Sequence, residues 1–466
     1  MKRPGGTCLN MGCIPSKNLL HASYEYHKAS HDFAKLGISV KELAIDIGQL
    51  QSQKKQVLDE LGQGIQFLFK KNNIRFINAT AQIIGENQIK AGDEILNADA
   101  IVIATGSIPR TLPNIAIDES VILSSTGALD LDHIPKTMAI IGGGYIGLEL
   151  GSVWSRLGST VHVIEALDRI APGLDPDLSQ ALYAALEKQG FIFHLGTTVK
   201  TFKTQKASTE LLLEKGSNTE ILIVDKLLVS IGRVPNTARL NLEKMKIETT
   251  PQGCIKVNAH FETSIKGIYA IGDVIEGPML AHKAEEEAIA LAEHLSGMKP
   301  HVDYNVIPAV VYTQPEVACV GFTEPQLQAA NIPYKASKFP FSANSRAKAT
   351  HETIGFVKLF SHLETGLVLG AHIIGSNAGT MIAQVAQAMN LRATTEDIAR
   401  TCHAHPTHSE AIKEAAWAGL KDDKFEALYA DVLEIQKTKL ENKDFNLYYR
   451  VQNDPESAFP VAVAMN

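Results

Sequence analysis

The sequence lacks the features that would mark a membrane protein, a secreted protein or a nucleic-acid-binding protein. No apolar run approaches the length of a membrane-spanning helix, and the start, MKRPGGT, has no apolar core of a secretory signal. Positive charge is not in excess, because 44 Lys and Arg stand against 51 Asp and Glu, a net charge of -7. These absences predict no membrane and no nucleic-acid partner.

Cysteine is scarce as well, with five in 466 residues. Five cannot form a disulfide framework in so long a chain, so a reducing compartment fits best. Hydrophobic residues at 45% and charged residues at 20% are ordinary for a globular protein long enough for two to four domains. In a reducing compartment, a close cysteine pair is expected to be catalytic or metal-binding rather than structural.

Such a pair occurs at once, in GGTCLNMGCIPSK, where Cys8 and Cys13 are five positions apart. In a regular α-helix that spacing separates the Cα atoms by roughly 8.6 Å, whereas a disulfide needs them within about 7 Å. A Cys8–Cys13 bridge therefore requires that the segment is not one regular helix, and Gly12 supplies the freedom for a break.

The residues after the pair predict a helix that starts beside Cys13. Pro15 suits a first helical turn, and a helix N-terminus favours the thiolate form of a cysteine. Lys17, one turn on, adds positive charge. A metal site would need more ligands, and His21 is the nearest candidate. From spacing alone, a redox pair and a pair of inert buried thiols both remain open.

The pattern of apolar runs predicts an α/β protein followed by an α+β domain. A long amphipathic helix is expected over residues 41–74, and the apolar strand DAIVIATGS ends in a glycine turn, as strands of parallel sheets do. A second strand, YAIGDV, ends in Gly272-Asp273, with a helix from about Ala281. From Val306 onward the pattern is typical of an antiparallel sheet with helices, including helices from Gly379 and Pro406.

The segment TMAIIGGGYIGLELG fits a dinucleotide-binding turn between a strand and a helix. Gly142 permits the tight turn, Gly144 lets a pyrophosphate approach the helix N-terminus, and Gly147 lets helix and strand pack closely. Glu165 ends the next strand and would bind an adenosine ribose, which favours NAD over NADP, although nearby Arg169 weakens that preference. The alternative is a glycine turn with an unrelated surface glutamate.

Three histidines lie close together in TCHAHPTHSEAIKEAAW, namely His403, His405 and His408. Pro406 is predicted to occupy the first turn of the following helix. Glu410 could hold one ring nitrogen of His405 and leave the other free to act as a base. The alternative is that these are ordinary surface histidines.

In combination, these segments resemble the disulfide-containing flavoprotein reductases of the pyridine nucleotide-disulfide oxidoreductase family, and most closely the dihydrolipoyl dehydrogenases. The resemblance runs from Gly5 to about Trp417, and the segments that carry it are GGTCLNMGCIPSK, ATGS, GGGYIGLELGSVW, IGRVPNT, YAIGDV, MLAHKAEEEA, AVVYTQPEVA, SANSRA and CHAHPTHSE. It implies FAD- and NAD-binding Rossmann-like domains and a C-terminal α+β dimerisation domain.

The resemblance also implies roles for particular residues. Cys8 would be the thiol that reacts with a dithiol substrate, and Cys13 the thiol that faces the flavin. Lys17 would lie beside the flavin, paired with Glu149. His405, oriented by Glu410, would be the base. No metal site is expected.

The cofactor-binding residues are carried over in the same way. The FAD site would comprise Lys17, Thr105, Gly106, Ser107, Asp273, Met279, Leu280, Ala281 and His282. The NAD site would comprise Gly142, Gly144, Gly147, Glu149, Glu165, Val199 and Gly232.

The activity implied is oxidation of protein-bound dihydrolipoamide to lipoamide with reduction of NAD⁺, through FAD and a Cys8–Cys13 disulfide. The implied partners are a second copy of the chain, which would supply His405, and the lipoyl-carrying subunit of a 2-oxo acid dehydrogenase or glycine cleavage complex. The expected compartment is the bacterial cytoplasm or, as second choice, the mitochondrial matrix. Ser16, where glutathione reductases carry a lysine, and Glu165 argue against that related group.

The resemblance predicts five segments: a first part of the FAD domain (1–112), an NAD domain (113–244), a second FAD part (245–305), an interface domain (306–420) and an atypical tail (421–466). Family members carry a strand, a G-x-G-x-x-G turn and a helix upstream of GGTC, and nothing here corresponds. The FAD domain is therefore expected to lack its first βαβ unit. A second hypothesis follows, a degenerate chain that dimerises and binds NAD without holding a flavin. Tyr145, often a small residue in relatives, is expected either to gate the nicotinamide pocket or simply to pack.

Overall fold

The computed structural model describes residues 3–113, 115–204 and 208–420. The atypical tail predicted over residues 421–466 lies outside these residues. No helix in the described ranges is both long and apolar enough to cross a bilayer.

The amino-terminal part contains three helices followed by short strands. Their bounds are α1 Gly6–Met11, α2 Cys13–His31, α3 Ile47–Lys71, β1 Ala81–Gly85, β2 Gln88–Ala91, β3 Glu94–Asn97, β4 Ile101–Ile103 and β5 Ser107–Pro109. Helix α3 starts at Ile47 and not near residue 41 as predicted, because the Asp46 side chain accepts the Gln49 N–H at 3.0 Å and caps the first turn. Strand β1 begins at Ala81.

The middle part is built around a five-stranded parallel sheet of order β6-β13-β7-β8-β9. Its elements are β6 Ile122–Leu123, α4 Ser125–Leu129, β7 Thr137–Ile141, α5 Tyr145–Leu157, β8 Thr160–Glu165, α6 Pro176–Lys188, β9 Ile192–Leu195 and β13 Lys226–Val229. Between β9 and β13 the chain forms a three-stranded antiparallel sheet. Its strands are β10 Thr198–Thr204, β11 Thr209–Lys215 and β12 Asn218–Val224. Strand β7 is buried on both faces, as expected of a central parallel strand.

The chain then returns to the amino-terminal part. Strand β14 (Arg233–Pro235) pairs with β5, and β15 (Ile268–Ala270) pairs in parallel with β4. Between them lies the short helix α7 (Leu242–Met245), and helix α8 (Ala281–Leu295) begins where the sequence predicts. The residues Thr105–Ser107 and Gly272–Asp273 therefore follow neighbouring strands at one edge of the sheet.

The last part is an antiparallel sheet of order β16-β17-β20-β19-β18, which agrees with the predicted α+β character. Its elements are β16 Ala309–Val311, β17 Glu316–Gly321, α9 Glu324–Ala329, β18 Tyr334–Pro340, α10 Ser345–Ala349, β19 Phe356–His362, β20 Val368–Gly375, α11 Ala378–Asn390, α12 Thr395–Arg400 and α13 Glu410–Leu420. The α/β fold with a C-terminal α+β part is confirmed, and the five domain boundaries stay predictions.

Apolar packing joins the cysteine-bearing helix to the parallel sheet. Leu19 and Leu20 of α2 share one core with Leu148 and Trp154 of α5. Val317 of β17 belongs to the same core. The first helices, the parallel sheet and the antiparallel sheet are therefore packed together.

A buried charge cluster also joins the last two parts. The Lys358 Nζ on β19 lies 3.1 Å from Asp175 Oδ1, 3.1 Å from Asp177 Oδ2 and 2.8 Å from Glu324 Oε2. Asp175 is fully buried ahead of α6. A buried carboxylate needs a cation or hydrogen-bond donors, because burying an unpaired charge is costly.

We expect Lys358→Met to destabilise the protein by about 3–5 kcal/mol, because it leaves the Asp175 carboxylate buried without its cation. Chemical denaturation of the purified variant measures the loss. Lys338→Met is the matched control, since Lys338 pairs with Asp177 at 3.5 Å with its side chain 48% exposed; it should cost about 1 kcal/mol or less. Equal losses for the two variants would contradict the prediction.

Candidate active site

The two cysteines lie on separate helices that meet at Gly12. Gly12 breaks the chain between α1 and α2, so Cys8 belongs to the first helix and Cys13 starts the second. A Cβ atom at Gly12 would lie 2.9 Å from Thr7 O and 3.3 Å from Cys8 Cα. The absence of a side chain there allows the two helices to approach, and the predicted helix start at Cys13 is confirmed.

The thiols are unbridged and hydrogen-bonded to each other. The hydrogen bond from Cys8, together with the charge of Lys17 and against the effect of burial, lowers the pKa of Cys13 to about 7. The same hydrogen bond, with burial, raises the pKa of Cys8. The pair is therefore asymmetric, with a partly ionised Cys13 and a protonated Cys8 at neutral pH. The described residues contain no group of three potential ligands placed to hold a metal ion.

Lys17 connects the thiol pair to helix α5. Its Nζ lies 2.7 Å from Glu149 Oε2 and 4.2 Å from the centre of the Tyr312 ring. The second carboxylate oxygen of Glu149, Oε1, accepts the Tyr312 N–H at 3.0 Å. Glu149 is buried, so its carboxylate needs these partners. The predicted Lys17–Glu149 pair is present, and Tyr312 is a member of the group that the sequence did not reveal.

The glycine turns that follow β4 and β15 are connected by side chains. The Ser107 hydroxyl donates to Asp273 Oδ2 at 2.5 Å and accepts from Arg233 Nε at 2.6 Å, while Arg233 Nη2 donates to Ser107 O at 2.7 Å. Thr105 donates its hydroxyl to Asn236 O, and Gly106 is half-buried with φ +69°. Burial lowers the pKa of Arg233, and the charges of Asp273 and Cys13 oppose that effect.

Arg233 was not among the predicted site residues, although it stands in the quoted segment IGRVPNT. Its contacts cross 126 positions in sequence, so no local pattern announces them. Its guanidinium donates to Ser107, and its charge interacts with the Asp273 carboxylate and the Cys13 thiol.

The segment Met279–His282 leads into helix α8. Leu280 is extended and precedes the first helical residue, Ala281, so the first amides of the helix lack intrahelical acceptors. The His282 ring nitrogen Nε2 lies 2.7 Å from Pro308 O. Met279 and Leu280 are partly exposed, which leaves this helix N-terminus open to a ligand group.

The predicted dinucleotide turn lies between β7 and α5. A Cβ atom at Gly142 (φ +101°) would lie 2.6 Å from Ser230 O, and one at Gly147 would lie 2.8 Å from the Ile140 side chain. Nothing lies within 4 Å of a Cβ placed on Gly144, so the start of α5 faces open space. This arrangement leaves the start of α5 accessible, as an anion-binding helix terminus requires.

Glu165 lies beside this turn at the end of β8. Its two carboxylate oxygens accept the backbone N–H groups of Gly143 at 2.7 Å and Leu167 at 2.9 Å. Of the other predicted NAD residues, Val199 lies partly buried on β10 and Gly232 is exposed at φ +103°.

The Tyr145 side chain is partly buried against the core shared by α2 and α5, and burial raises its pKa to about 12. Of the two expectations for Tyr145, this position favours packing over gating.

His405 and Glu410 form a pair on a different surface. His405 Nδ1 lies 2.8 Å from Glu410 Oε1, while Glu410 Oε2 accepts the Thr407 N–H at 2.8 Å. The His405 side chain is 69% exposed. No hydrogen bond or ion pair of the described chain joins it to Cys8 or Cys13.

The prediction that Pro406 starts the helix is wrong, because α13 begins at Glu410. The T-x-x-E pattern from Thr407 to Glu410 is a helix-start signal of the capping-box type, and the carboxylate-to-backbone half of that box is formed. His403 lies 2.6 Å from the Gln384 side chain. His408 is packed near Phe341, and burial lowers its pKa. Neither of these histidines joins the pair.

Comparison with known proteins identifies relatives over most of the chain. Residues 3–288 match the family described as Pyridine nucleotide-disulphide oxidoreductase, and residues 307–416 match its dimerisation domain. The chain is 48% identical over 421 residues to Dihydrolipoyl dehydrogenase, mitochondrial, of Pisum sativum, covering 89% of this chain and 84% of that protein. It is 50% identical over 421 residues to Dihydrolipoyl dehydrogenase 3 of Pseudomonas putida, covering 88% and 90%. The solved structure of LpdA from Mycobacterium tuberculosis is similar with a TM-score of 0.83 and 26% identity, covering 89% of this chain and 92% of that one.

We expect Cys8→Ala to raise the pKa of Cys13 from about 7 toward the usual range of thiols, because it removes the hydrogen bond that most stabilises the thiolate. Alkylation of Cys13 by iodoacetamide at a series of pH values, quantified by mass spectrometry, measures the shift. At pH 7 the initial rate should fall several-fold relative to the reduced wild type. Cys402→Ser is the control. An unchanged pH profile in Cys8→Ala would refute the claim that Cys8 lowers the pKa of Cys13.

Proposed function

This chain belongs to the pyridine nucleotide-disulphide oxidoreductase family, and from that premise we propose that it oxidises protein-bound dihydrolipoamide to lipoamide and reduces NAD⁺. The observation that carries the proposal is the thiol pair. Its two thiols differ in pKa, and such a reaction needs one sulfur that reacts with the substrate and one that leaves. A chain that only dimerised would have no use for a low-pKa thiol at a helix N-terminus beside a buried ion pair.

The pKa difference assigns the two sulfurs. When the pair is oxidised, a substrate thiolate attacks one sulfur of the disulfide and the other leaves as a thiolate; the sulfur with the lower pKa is the better leaving group. Cys13, with a pKa of about 7, is therefore the leaving sulfur, and Cys8 is the sulfur attacked. The second substrate sulfur then attacks the first, forms the disulfide of lipoamide and releases Cys8. The cysteine pair ends reduced by the two electrons that the dithiol loses.

The base in this exchange is His405. Glu410 holds Nδ1 at 2.8 Å, so Nε2 is left free to take a proton from the substrate thiol. The pair is exposed and separate from the cysteines of its own chain. The proposal is that His405 serves the thiol pair of a second copy, brought there through the dimerisation domain that residues 307–416 match.

The residues around Cys13 fit FAD. A helix N-terminus at Ala281, the half-buried turn at Gly106 and the carboxylate of Asp273 border one region with Cys13 and Lys17. In the proposed site Asp273 binds the ribityl hydroxyls, and Thr105–Ser107 and Met279–His282 contact the flavin. When bound, FAD supplies the redox chemistry that passes the electron pair from the reduced cysteines to NAD⁺.

The proposed NAD site is the turn Gly142–Gly147 with Glu165, Val199 and Gly232. The open helix start at Gly144 would receive the pyrophosphate. Glu149, on the same helix, connects this site to Lys17 and hence to the thiol pair. The Glu165 carboxylate would accept from the adenosine ribose and repel a 2′-phosphate.

The proposed protein partner is a lipoyl-carrying subunit of a 2-oxo acid dehydrogenase or glycine cleavage complex. The proposed compartment is the bacterial cytoplasm or, as second choice, the mitochondrial matrix; the name of the Pisum sativum relative includes the word mitochondrial.

Cys13→Ser should abolish the proposed reaction, because a serine hydroxyl cannot form or leave a disulfide. We expect the purified wild type, supplied with FAD, to reduce NAD⁺ with dihydrolipoamide, and the variant to retain less than about 1% of that rate. NADH formation at 340 nm is the measurement. Cys402→Ser should keep full activity. Unimpaired turnover by Cys13→Ser would show that this thiol has no part in the mechanism. A wild type that retains no flavin after incubation with FAD and removal of the excess would refute the proposed function.

The wild type should prefer NAD⁺ over NADP⁺ by about a hundredfold or more in kcat/KM, because a carboxylate facing a 2′-phosphate costs several kcal/mol. Glu165→Gln keeps an acceptor for the Gly143 N–H and removes the charge. The ratio of kcat/KM for NAD⁺ to kcat/KM for NADP⁺ should therefore fall by about tenfold. Glu214→Gln, in an exposed pair with Lys200, is the control. Equal use of both nucleotides by the wild type would contradict the assigned role of Glu165.

A further inference from the structure

Helix α8 contains a fully buried ion pair that the proposed reaction does not use. Lys283 Nζ lies 2.9 Å from Glu287 Oε1, one helical turn away, and both side chains have no exposed surface. Burying such a pair is rarely stabilising compared with apolar residues of the same size. Its presence therefore calls for a role that an apolar pair could not fill.

That role is visible in the contacts to Gly272. Glu287 Oε2 accepts the Gly272 N–H at 2.7 Å, and Lys283 Nζ donates to Gly272 O at 3.1 Å. Strand β15 has ended at Ala270, and Gly272 turns with φ +77°. The two charged side chains thus take the place of the strand neighbours that would otherwise bind these peptide groups.

The turn is held against the helix from two further directions. A Cβ atom at Gly272 would lie 3.2 Å from the Cβ of Ala284, so the turn packs closely on α8. The Tyr304 hydroxyl also donates to Glu287 Oε1, at 2.8 Å. Glu287 is therefore restrained by a cation, an amide and a hydroxyl.

The residue that follows Gly272 is Asp273. Its carboxylate accepts from Ser107, whose hydroxyl accepts from Arg233. The side chain of Asp273 is thus oriented from one side by Ser107, while its backbone is fixed from the other side by Lys283 and Glu287 through Gly272.

We propose that Lys283 and Glu287 are positioning residues of the FAD site, which hold the Gly272–Asp273 turn so that the Asp273 carboxylate meets the hydroxyl groups of the ribityl chain. This inference rests on the proposed function, and it adds that flavin affinity depends on an ion pair that does not contact the flavin. A positioned carboxylate binds better than a mobile one, because the entropy of ordering it does not oppose binding.

The test measures FAD affinity directly. Titration of the apoprotein with FAD, followed by quenching of flavin fluorescence, gives Kd for the wild type and for Glu287→Gln. We expect Glu287→Gln to raise Kd by about tenfold, equivalent to about 1.4 kcal/mol, with an unchanged far-ultraviolet circular dichroism spectrum. Glu396→Gln is the matched control, since Glu396 pairs with Arg400 across one exposed helical turn, and its Kd should equal that of the wild type.

A double-mutant cycle tests whether the effect passes through Asp273. In an Asp273→Ala background, Glu287→Gln should raise Kd by less than about twofold, because the group that it positions is already absent. Should Glu287→Gln fail to fold, Tyr304→Phe replaces it in the same cycle, since it removes one hydrogen bond to Glu287 at the edge of the cluster; about a threefold rise in Kd is expected.

Two results would overturn the inference while leaving the proposed function in place. The first is an unchanged Kd in the folded variant, with only a lower thermal midpoint of the apoprotein, which would make the pair purely structural. The second is equal effects of Glu287→Gln with and without Asp273. A wild type that takes up no FAD would instead refute the proposed function, and the inference with it.

Discussion

The close approach of helices α1 and α2 across Gly12 determines the chemistry of the thiol pair. Only a residue without a side chain brings the backbone of Cys8 near the start of α2, and that approach places the Cys8 thiol where it donates to Cys13. One hydrogen bond then has opposite effects on its two ends: it stabilises the thiolate of Cys13 and disfavours ionisation of Cys8. Two chemically identical side chains therefore differ in pKa, and the charge of Lys17 lowers the pKa of Cys13 further.

That pair works only if helix α2 is fixed relative to the rest of the site, and the fixing contacts come from distant parts of the chain. Lys17 pairs with Glu149 on the helix that starts at the dinucleotide turn, and Glu149 also accepts from the backbone of Tyr312 at the edge of the antiparallel sheet. A single buried carboxylate thus connects the thiols, the nucleotide turn and the last domain. The apolar core shared by α2 and α5 supports the same arrangement, and the buried cluster around Lys358 joins the parallel and antiparallel sheets independently.

Local sequence patterns predicted the helix starts and turns that depend on residues close together in the chain. The helix start at Cys13, the turn at Gly142–Gly147 and the start of α8 at Ala281 follow from glycine, proline and apolar periodicity, and the structure has them where expected. Helix starts that depend on a side-chain cap differ from the prediction. Apolar periodicity does not reveal the Asp46 cap, and the proline at 406 does not mark the start that follows the T-x-x-E pattern ending at Glu410. Contacts between residues more than a hundred positions apart, such as Arg233 with Ser107, follow from the packing of complete units, and no pattern within a segment encodes them. The roles assigned to the site residues, in contrast, came from the resemblance and stay predictions.

In the proposed mechanism, the thiol pair and the base lie on separate surfaces of one chain. Cys13 interacts with Cys8 and Lys17 of its own chain, and no hydrogen bond or ion pair of the described residues joins it to His405. His405 lies instead on an exposed surface beside Glu410, so the pKa of Cys13 is set by Cys8 and Lys17 of its own chain. In the proposed mechanism, the base reaches the substrate-reactive sulfur only when two copies associate, so proton transfer would depend on the dimer and thiol ionisation on the single chain.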